Sequence, residues 1–127
     1  MSRGLLDTSV LIATDVSPLP GQLAVSAVSI AELHYGVLVA ASAAARASRL
    51  QRLSRIQRRF DALPVDDAVA DSYGQLAARV AAQGRSPRPR SMDLLIAATA
   101  HAHDAVLYTR NERDFAGLEG LVQIVTA

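Results

Sequence analysis

Three residue types are absent from this chain: cysteine, lysine and tryptophan. Without cysteine there is no disulfide, no thiolate zinc site and no cysteine nucleophile. Without lysine there is no Schiff-base chemistry and no P-loop lysine to hold a phosphate. All thirteen positive residues are arginine, set against twelve acids, so the net charge of +1 gives no strong overall field. These absences exclude several enzyme classes before any motif is considered.

Aromatic residues are also scarce, at 4%, although half of the 127 residues are hydrophobic. The core must therefore be built from Ala, Val, Leu and Ile, which suits close packing of helices on a sheet. The length predicts a single domain over 1–127. The apolar runs are far shorter than the ~20 residues that span a bilayer. No signal peptide precedes the first predicted strand, so we expect a cytoplasmic protein without membrane contact.

Strand-like and helix-like segments alternate along the chain. Short apolar or β-branched stretches predict strands at 4–6, 23–28, 62–65, 105–109 and 121–125. Helical patterns predict helices at 8–13, 29–40, 42–60, 67–83 and 92–103. The second and third of these helices form a predicted hairpin, and the segment 84–90 (GRSPRPR) predicts a basic loop. This alternation predicts an α/β sandwich with a mainly parallel sheet.

Four acidic residues follow apolar stretches and adjoin predicted helix starts: Asp7, Glu32, Asp93 and Asp114. In a parallel sheet, the carboxyl ends of the strands and the helix starts after them lie along one edge, where ligands bind. Carboxylates brought together at that edge repel one another unless a cation joins them. The set therefore predicts a site for a hard metal ion, and with it phosphate chemistry.

Each of these acids also has a simpler explanation as a helix cap. Ser29-x-x-Glu32 matches a capping box, and Ser91 precedes Asp93 at a predicted cap position. An acid in a first turn gains about 0.3–1 kcal/mol from the helix dipole. Asp7 and Asp93 lie among apolar residues, however, where an unpaired charge is costly. Capping therefore remains an explanation for a single acid, and we interpret the whole set as a metal site.

Four segments, in order, carry a family resemblance: LLDTSVLI at 5–12, VSIAELHYG at 28–36, DLLIAATA at 93–100 and LYTRNERDF at 107–115. They resemble the signature blocks of PIN-domain ribonucleases and, more narrowly, of the VapC toxins of type II toxin–antitoxin systems. The resemblance covers nearly the whole chain. It implies a three-layer α/β/α fold and an endoribonuclease in which Mg²⁺ or Mn²⁺ activates water to hydrolyse RNA.

The resemblance also implies partners and site residues. The implied partners are an RNA substrate, a second copy in a homodimer, and a VapB-type antitoxin whose tail enters the acidic groove. Catalysis and metal binding are assigned to four acids: Asp7, Glu32, Asp93 and Asp114. Many PIN domains have an Asp where this chain has Asn111, so Asn111 or Glu112 could complete the site in place of Asp114. Substrate contacts are predicted for Thr8, Ser9, Thr109, Asn111, Arg85, Arg88 and Arg90.

Several alternatives stay open. A phosphatase of the HAD type normally has Asp-x-Asp after its first strand, and the segment 7–9 lacks it; a receiver domain needs a lysine. A PIN fold without activity could serve as an RNA- or protein-binding module, which would usually lack one core acid. The arginines from 46 to 59 predict a solvated helix face, with RNA or antitoxin contact as the alternative. The apolar helix after Glu32 must be buried in the core or in a subunit interface.

Overall fold

The structure is a computed structural model, and it describes residues 2–127. The strands are β1 (Arg3–Leu6), β2 (Gln22–Ser26), β3 (Ala62–Leu63), β4 (Val106–Thr109) and β5 (Ile124–Thr126). The helices are α1 (Thr8–Ile12), α2 (Ala27–Leu38), α3 (Ala43–Arg59), α4 (Asp67–Ala82) and α5 (Ser91–Ala102). Two 3-10 turns lie at Arg88–Arg90 and Glu112–Phe115. The predicted alternation of strands and helices is confirmed.

The strands form one sheet in the order β3-β2-β1-β4-β5, and every neighbouring pair is parallel. In the centre of the sheet, Leu5 lies between Ala24 and Leu107. Just beyond β1, the backbone N–H of Asp7 donates to the carbonyl oxygen of Tyr108 at 2.9 Å. This bond holds the carboxyl ends of β1 and β4 side by side. The carboxyl edge predicted from the sequence is therefore formed.

Hydrophobic clusters lie on both faces of the sheet. Since successive strand residues point to opposite faces, Leu5 packs with α4 and α5, whereas Leu6 packs with α1. Helix α5 lies close to the sheet through three fully buried alanines: Ala97, Ala98 and Ala100. A third cluster joins α2 to α3 through Leu33, Val37, Leu53 and Ile56. The predicted α/β/α layers and helical hairpin are confirmed.

Several element boundaries differ from the predictions. Helix α2 begins at Ala27, and its N-cap is Ser26, whose hydroxyl accepts from the N–H of Val28 at 3.0 Å. Ser29 lies inside the helix and is fully buried, so the predicted capping box is wrong. Strand β5 begins three residues later than predicted. Ser91 does not cap α5 with its side chain, because its hydroxyl donates to the carbonyl of Arg88.

The arginines of α3 do more than form a solvated face. Arg46 and Arg49 donate to the carbonyl oxygens of Leu38 and Gly36, at 3.2 and 2.7 Å. These carbonyls belong to the last turn and a half of α2, where carbonyls lack helical partners and attract cations. The two arginines therefore fasten the hairpin. In the described part of the chain, no helix is both long and apolar enough to cross a membrane.

Candidate active site at the carboxyl edge of the sheet

The four acids predicted from the sequence lie around the carboxyl edge of the sheet. Asp7 directly follows β1, and Glu32 lies in the second turn of α2. Asp93 lies in the first turn of α5, and Asp114 lies in the 3-10 turn that follows β4. Burial, together with the charges of Asp114, Asp7 and Glu32, raises the pKa of Asp93 to about 6, with burial as the largest cause. Asp93 therefore lies within electrostatic range of the other three carboxylates.

Helix capping does not explain Asp7 or Glu32. Asp7 occupies the position before α1, yet its side chain makes no capping hydrogen bond. Glu32 lies too far inside α2 to serve the helix start at Ala27. Asn111 precedes the second 3-10 turn but likewise makes no side-chain cap. The capping interpretation is therefore wrong for Asp7 and Glu32, and the interpretation of the four acids as one joint site stays a prediction.

The carboxylate of Asp7 is held by two hydroxyl groups. Its Oδ2 atom accepts from Ser9 at 2.7 Å and from Thr109 at 2.8 Å. These hydroxyls accept in turn from backbone N–H groups, Ser9 from Arg110 and Thr109 from Asn111, both at 3.0 Å. Because each hydroxyl has one proton, the backbone contacts direct both protons to Asp7. Asp7 is only 5% exposed, so this network fixes its orientation.

Glu32 is held in a similar way across α1 and α2. The hydroxyl of Thr8 donates to Glu32 Oε1 at 2.7 Å and lies 2.9 Å from the hydroxyl of Ser29. The hydroxyl of Thr8 therefore lies between the carboxylate of Glu32 and the hydroxyl of the buried Ser29. Three of the residues predicted to contact substrate donate their hydroxyl protons to acids of the site instead. Thr8 donates to Glu32, and Ser9 and Thr109 donate to Asp7. Sequence reasoning assigned Ser29 to a capping box and missed its contact with Thr8.

Two of the three arginines in the 84–90 segment donate to backbone carbonyls, and the third does not. Arg90 donates from Nη1 to the carbonyl oxygen of Ala116 at 3.2 Å and from Nη2 to that of Asp114. Arg85 donates to the same carbonyl of Ala116 at 3.3 Å. Arg88 is exposed, and its guanidinium makes no hydrogen bond to any of residues 2–127. Of these three arginines, Arg88 is therefore the one whose side chain is available to bind a phosphate of a ligand.

The donor chemistry of the site fits a hard divalent ion. All four acids offer carboxylate oxygens, which Mg²⁺ and Mn²⁺ prefer over sulfur or nitrogen. The raised pKa of Asp93 reflects its burial and the repulsion from its acidic neighbours, and a divalent ion would offset that repulsion. Across residues 2–127, no three Asp, Glu or His side chains are arranged to hold a metal directly. Since Mg²⁺ keeps several waters, the residues fit a partly hydrated ion better than one enclosed by protein.

A groove of about 600 Å³ lies between α1, the loop that follows it, and α3. Its apolar lining includes Val10, Leu11, Leu19, Ile56 and Phe60, and its basic lining consists of Arg52, Arg55 and Arg59. The Nε atom of Arg52 is buried and has no hydrogen-bond partner among residues 2–127. Sequence reasoning missed this groove, although the spacing of the three arginines places them on one face of a helix.

Comparisons with known proteins agree with this architecture. The family model for the PIN domain matches residues 4–121. The chain is 39% identical to Ribonuclease VapC5 of Mycobacterium tuberculosis over 97% of this chain and 93% of that protein. It is 32% identical to the tRNA(fMet)-specific endonuclease VapC of Shigella flexneri over 80% of this chain and 73% of that protein.

A solved structure gives the same result at the level of the fold. The crystal structure of VapBC-5, a toxin–antitoxin system of Mycobacterium tuberculosis, superposes with a TM-score of 0.85 at 38% identity. The match covers 99% of this chain and 98% of the solved chain. The family model, the sequence relatives and the superposition extend over nearly the same residues as the four segments that carry the acids. The chain therefore belongs to the PIN-domain family and, within it, to the VapC ribonucleases.

Proposed function

We propose that this protein is the toxin of a type II toxin–antitoxin system and hydrolyses RNA phosphodiester bonds with Mg²⁺ or Mn²⁺. Asp7, Glu32, Asp93 and Asp114 would hold the ion. The observation that carries the proposal is the placement of the four acids at the carboxyl edge of a parallel sheet, where the charges of the other three contribute to the raised pKa of Asp93. The family relationship to ribonucleases supports the substrate class.

The chain's own residues would prepare the site for this reaction. A bound Mg²⁺ or Mn²⁺ would polarise the scissile phosphate and lower the pKa of a water molecule. Ser9 and Thr109 fix Asp7, and Thr8 fixes Glu32, so two carboxylates are oriented in advance. Preorganised groups of this kind lower the barrier because they need not rearrange during the reaction.

The fourth acid differs from these two in its setting. Asp114 lies on an exposed turn, and none of the described residues donates a hydrogen bond to its carboxylate. Asn111 and Glu112 share that turn and are also exposed. We propose Asp114 as the fourth metal-binding acid, because its charge raises the pKa of Asp93 more than the charge of Asp7 or Glu32 does. A hollow of about 460 Å³ beside the turn, lined by Arg110 to Asp114 and Thr126, could receive a nucleotide.

Divalent-dependent cleavage of RNA is the first test. Purified protein with Mg²⁺ or Mn²⁺ should cut RNA and leave a 5′-phosphate and a 3′-hydroxyl. Transfer RNA should be tried first, because the Shigella flexneri relative is named for tRNA(fMet). Asp7→Asn, Asp93→Asn or EDTA should abolish cleavage, whereas Asp61→Asn, at an exposed acid outside the site, should preserve it. Cleavage that survives both site substitutions and EDTA would rule out the proposal.

We propose a VapB-type antitoxin as the protein partner, since the VapBC-5 structure is that of a toxin–antitoxin system. The groove between α1 and α3 suits a segment of that partner with apolar and acidic side chains. Its apolar lining would bury the apolar side chains, and a carboxylate could satisfy the unpaired Nε of Arg52. The acidic site itself could receive an arginine of the antitoxin tail.

We also propose a homodimer. Tyr35, Leu38 and Val39 are 68%, 69% and 52% exposed at the end of α2, and together they form an apolar surface. Light scattering on the purified chain should give twice the monomer mass, and Leu38→Glu should return it to the monomer mass. A monomer in the unsubstituted protein would contradict this part of the proposal.

The alternative of a catalytically inactive binding module is less well supported. Such a module would not need two hydroxyl groups directed at Asp7 and a third directed at Glu32. An inactive module would usually lack one of the core acids, and this chain retains all four.

A further inference from the structure

The turn that carries Asp114 is held by 3-10 hydrogen bonds and by one buried side chain. Within it, the N–H of Asp114 donates to the carbonyl of Asn111 at 3.0 Å, and that of Ala116 donates to the carbonyl of Arg113 at 3.2 Å. Phe115 is fully buried and anchors the turn to the core. These contacts fix the shape of the turn and place one of its side chains in the core, and none of them involves residues 84–90.

Two arginines of residues 84–90 add a hydrogen-bonded connection between this turn and the start of α5. Arg90 immediately precedes α5 and is half-buried. Its guanidinium donates to the carbonyls of Asp114 and Ala116, so one planar group bridges two points of the turn. Arg85 adds a second bond to the carbonyl of Ala116. Hydrogen bonds from a charged donor are stronger than neutral ones, and the planar guanidinium loses little entropy in making two of them.

Arg90 also contributes a positive charge beside the acids. It lowers the pKa of Asp93, opposing the effects of burial and of the three neighbouring carboxylates. Arg90 and Asp93 lie three residues apart at the start of α5, so the same short segment carries one metal-binding acid and the contact that fixes another. Arg88, between Arg85 and Arg90, makes no side-chain hydrogen bond to the turn and does not contribute to the pKa of Asp93.

We propose that Arg90 is a positioning residue that clamps the Asp114 turn to the start of α5, with Arg85 as its second tie, and that Arg88 is the RNA-contacting arginine of the segment. The metal-binding consequence of this clamp rests on the proposed function. The structural part, the fixing of residues 112–116 by Arg90, does not depend on it.

The first measurement is amide hydrogen exchange of the metal-free full-length protein. Arg90→Gln should accelerate exchange in residues 112–116 several-fold, because the turn loses both guanidinium bonds. Arg88→Gln should leave that exchange unchanged, and Arg90→Lys should give an intermediate rate, since an ammonium cannot bridge two carbonyls in the same geometry. Unchanged exchange in Arg90→Gln would overturn the clamp. If Arg90→Gln does not fold, the comparison of Arg90→Lys and Arg85→Gln with Arg88→Gln decides the same point.

The second measurement separates metal positioning from RNA contact. Titration with Mn²⁺ alone should show about 10-fold weaker binding in Arg90→Gln and unchanged binding in Arg88→Gln. RNA binding in EDTA should show the reverse. Arg88→Gln should reduce the slope of log K against log salt by about 0.7–0.9, the value for one lost phosphate contact. A reduced salt slope in Arg90→Gln with unchanged Mn²⁺ affinity would overturn the proposal.

The two measurements also distinguish the clamp from the function on which it rests. If the unsubstituted protein binds no Mn²⁺, the proposed function fails, and the exchange rates of residues 112–116 still decide whether Arg90 fixes the turn. If Mn²⁺ binds but the exchange rates and affinities do not respond to Arg90, the clamp fails and the proposed function stands.

Discussion

At the scale of single residues, Asp7 is oriented by hydroxyl groups rather than by a helix terminus. Ser9 and Thr109 each accept a backbone N–H and direct a proton to Asp7 Oδ2. Loss of a group that orients a metal-binding carboxylate in this way typically weakens metal binding by roughly 10- to 100-fold. The sequence could indicate that Asp7 belongs to a site, but not that Thr109, about a hundred positions away, holds it.

Replacing Thr109 tests the role of this network. Thr109→Val keeps the volume of a fully buried side chain but removes the proton given to Asp7 and the acceptor for the N–H of Asn111. We expect about 10-fold weaker Mn²⁺ binding and a free energy of unfolding lower by about 1–2 kcal/mol. Thr126→Val, at an exposed threonine of β5, is the matched control. Equal Mn²⁺ affinities in the two variants would show that Thr109 does not orient the carboxylate.

The pKa of Asp93 predicts a pH dependence of stability. Burial and the three neighbouring acids raise this pKa to about 6 in the folded protein, above the value of about 3.9 for an unfolded chain. The folded state therefore binds this proton more tightly. The stability gained from it is present below about pH 3.9 and is lost as the pH rises through about 6. Since Asp93 is only half-buried, solvent screening reduces the effect to the order of 1 kcal/mol.

Denaturant unfolding in EDTA at pH 4 and pH 7.5 measures this effect. Asp93→Asn should be more stable than the unsubstituted protein at pH 7.5 by the order of 1 kcal/mol, and the difference should shrink at pH 4. Glu119→Gln, at an exposed acid whose pKa is lowered, should show no such gain at pH 7.5. A variant Asp93→Asn that is less stable than the parent at pH 7.5 would contradict the assigned repulsion.

At the scale of elements, tertiary contacts decide which of two possible local structures forms when the sequence allows both. Both Ser26 and Ser29 could cap α2, and Ser26 does so because β2 ends at that residue, where it pairs with Leu63 of β3. The segment 84–90 contains three arginines and two prolines, which predict a loop. It nevertheless forms a 3-10 turn, since Pro89 stands at a turn position where no N–H donor is needed. Such choices depend on the neighbours of a segment, which its own sequence does not specify.

The arginines of α3 also have contacts that the sequence of the helix does not specify. The stripe at 46–59 predicts a solvated face, yet Arg46 and Arg49 bind α2 carbonyls, and Arg52, Arg55 and Arg59 line the groove. Helical spacing places residues on a shared face, but it does not reveal what that face contacts. The buried Nε of Arg52 is the feature that distinguishes the groove from an ordinary basic surface.

Substitutions on α3 test the groove as the antitoxin surface. The pair Arg52→Gln and Arg55→Gln should weaken binding of the cognate antitoxin about 10-fold or more, since a desolvated charge pair would lose one partner. Cleavage of RNA by the free toxin should be unchanged. Arg58→Gln, at an exposed arginine of α3 that does not line the groove, is the control. Calorimetric titration that gives the same affinity for the double variant and the control would place the antitoxin elsewhere.

At the scale of the whole molecule, the parallel sheet explains why four scattered acids meet. Each acid lies just after a strand or within the first two turns of a helix, and the all-parallel order brings those positions to one edge. The fold, and the acids as a set, could therefore be predicted from the sequence. The hydrogen bonds of Thr109, Arg90 and Ser29 could not, because they join residues whose separation along the chain gives no local signal.

The central claim is that these four carboxylates share a divalent ion, and Mn²⁺ in the crystallised protein tests it most directly. Anomalous diffraction at the manganese absorption edge should show a peak at the carboxyl edge of the sheet, among Asp7, Glu32, Asp93 and Asp114. The same peak should be lost or strongly reduced in Asp93→Asn. Density that lies away from these acids, or that persists unchanged in Asp93→Asn, would contradict the account.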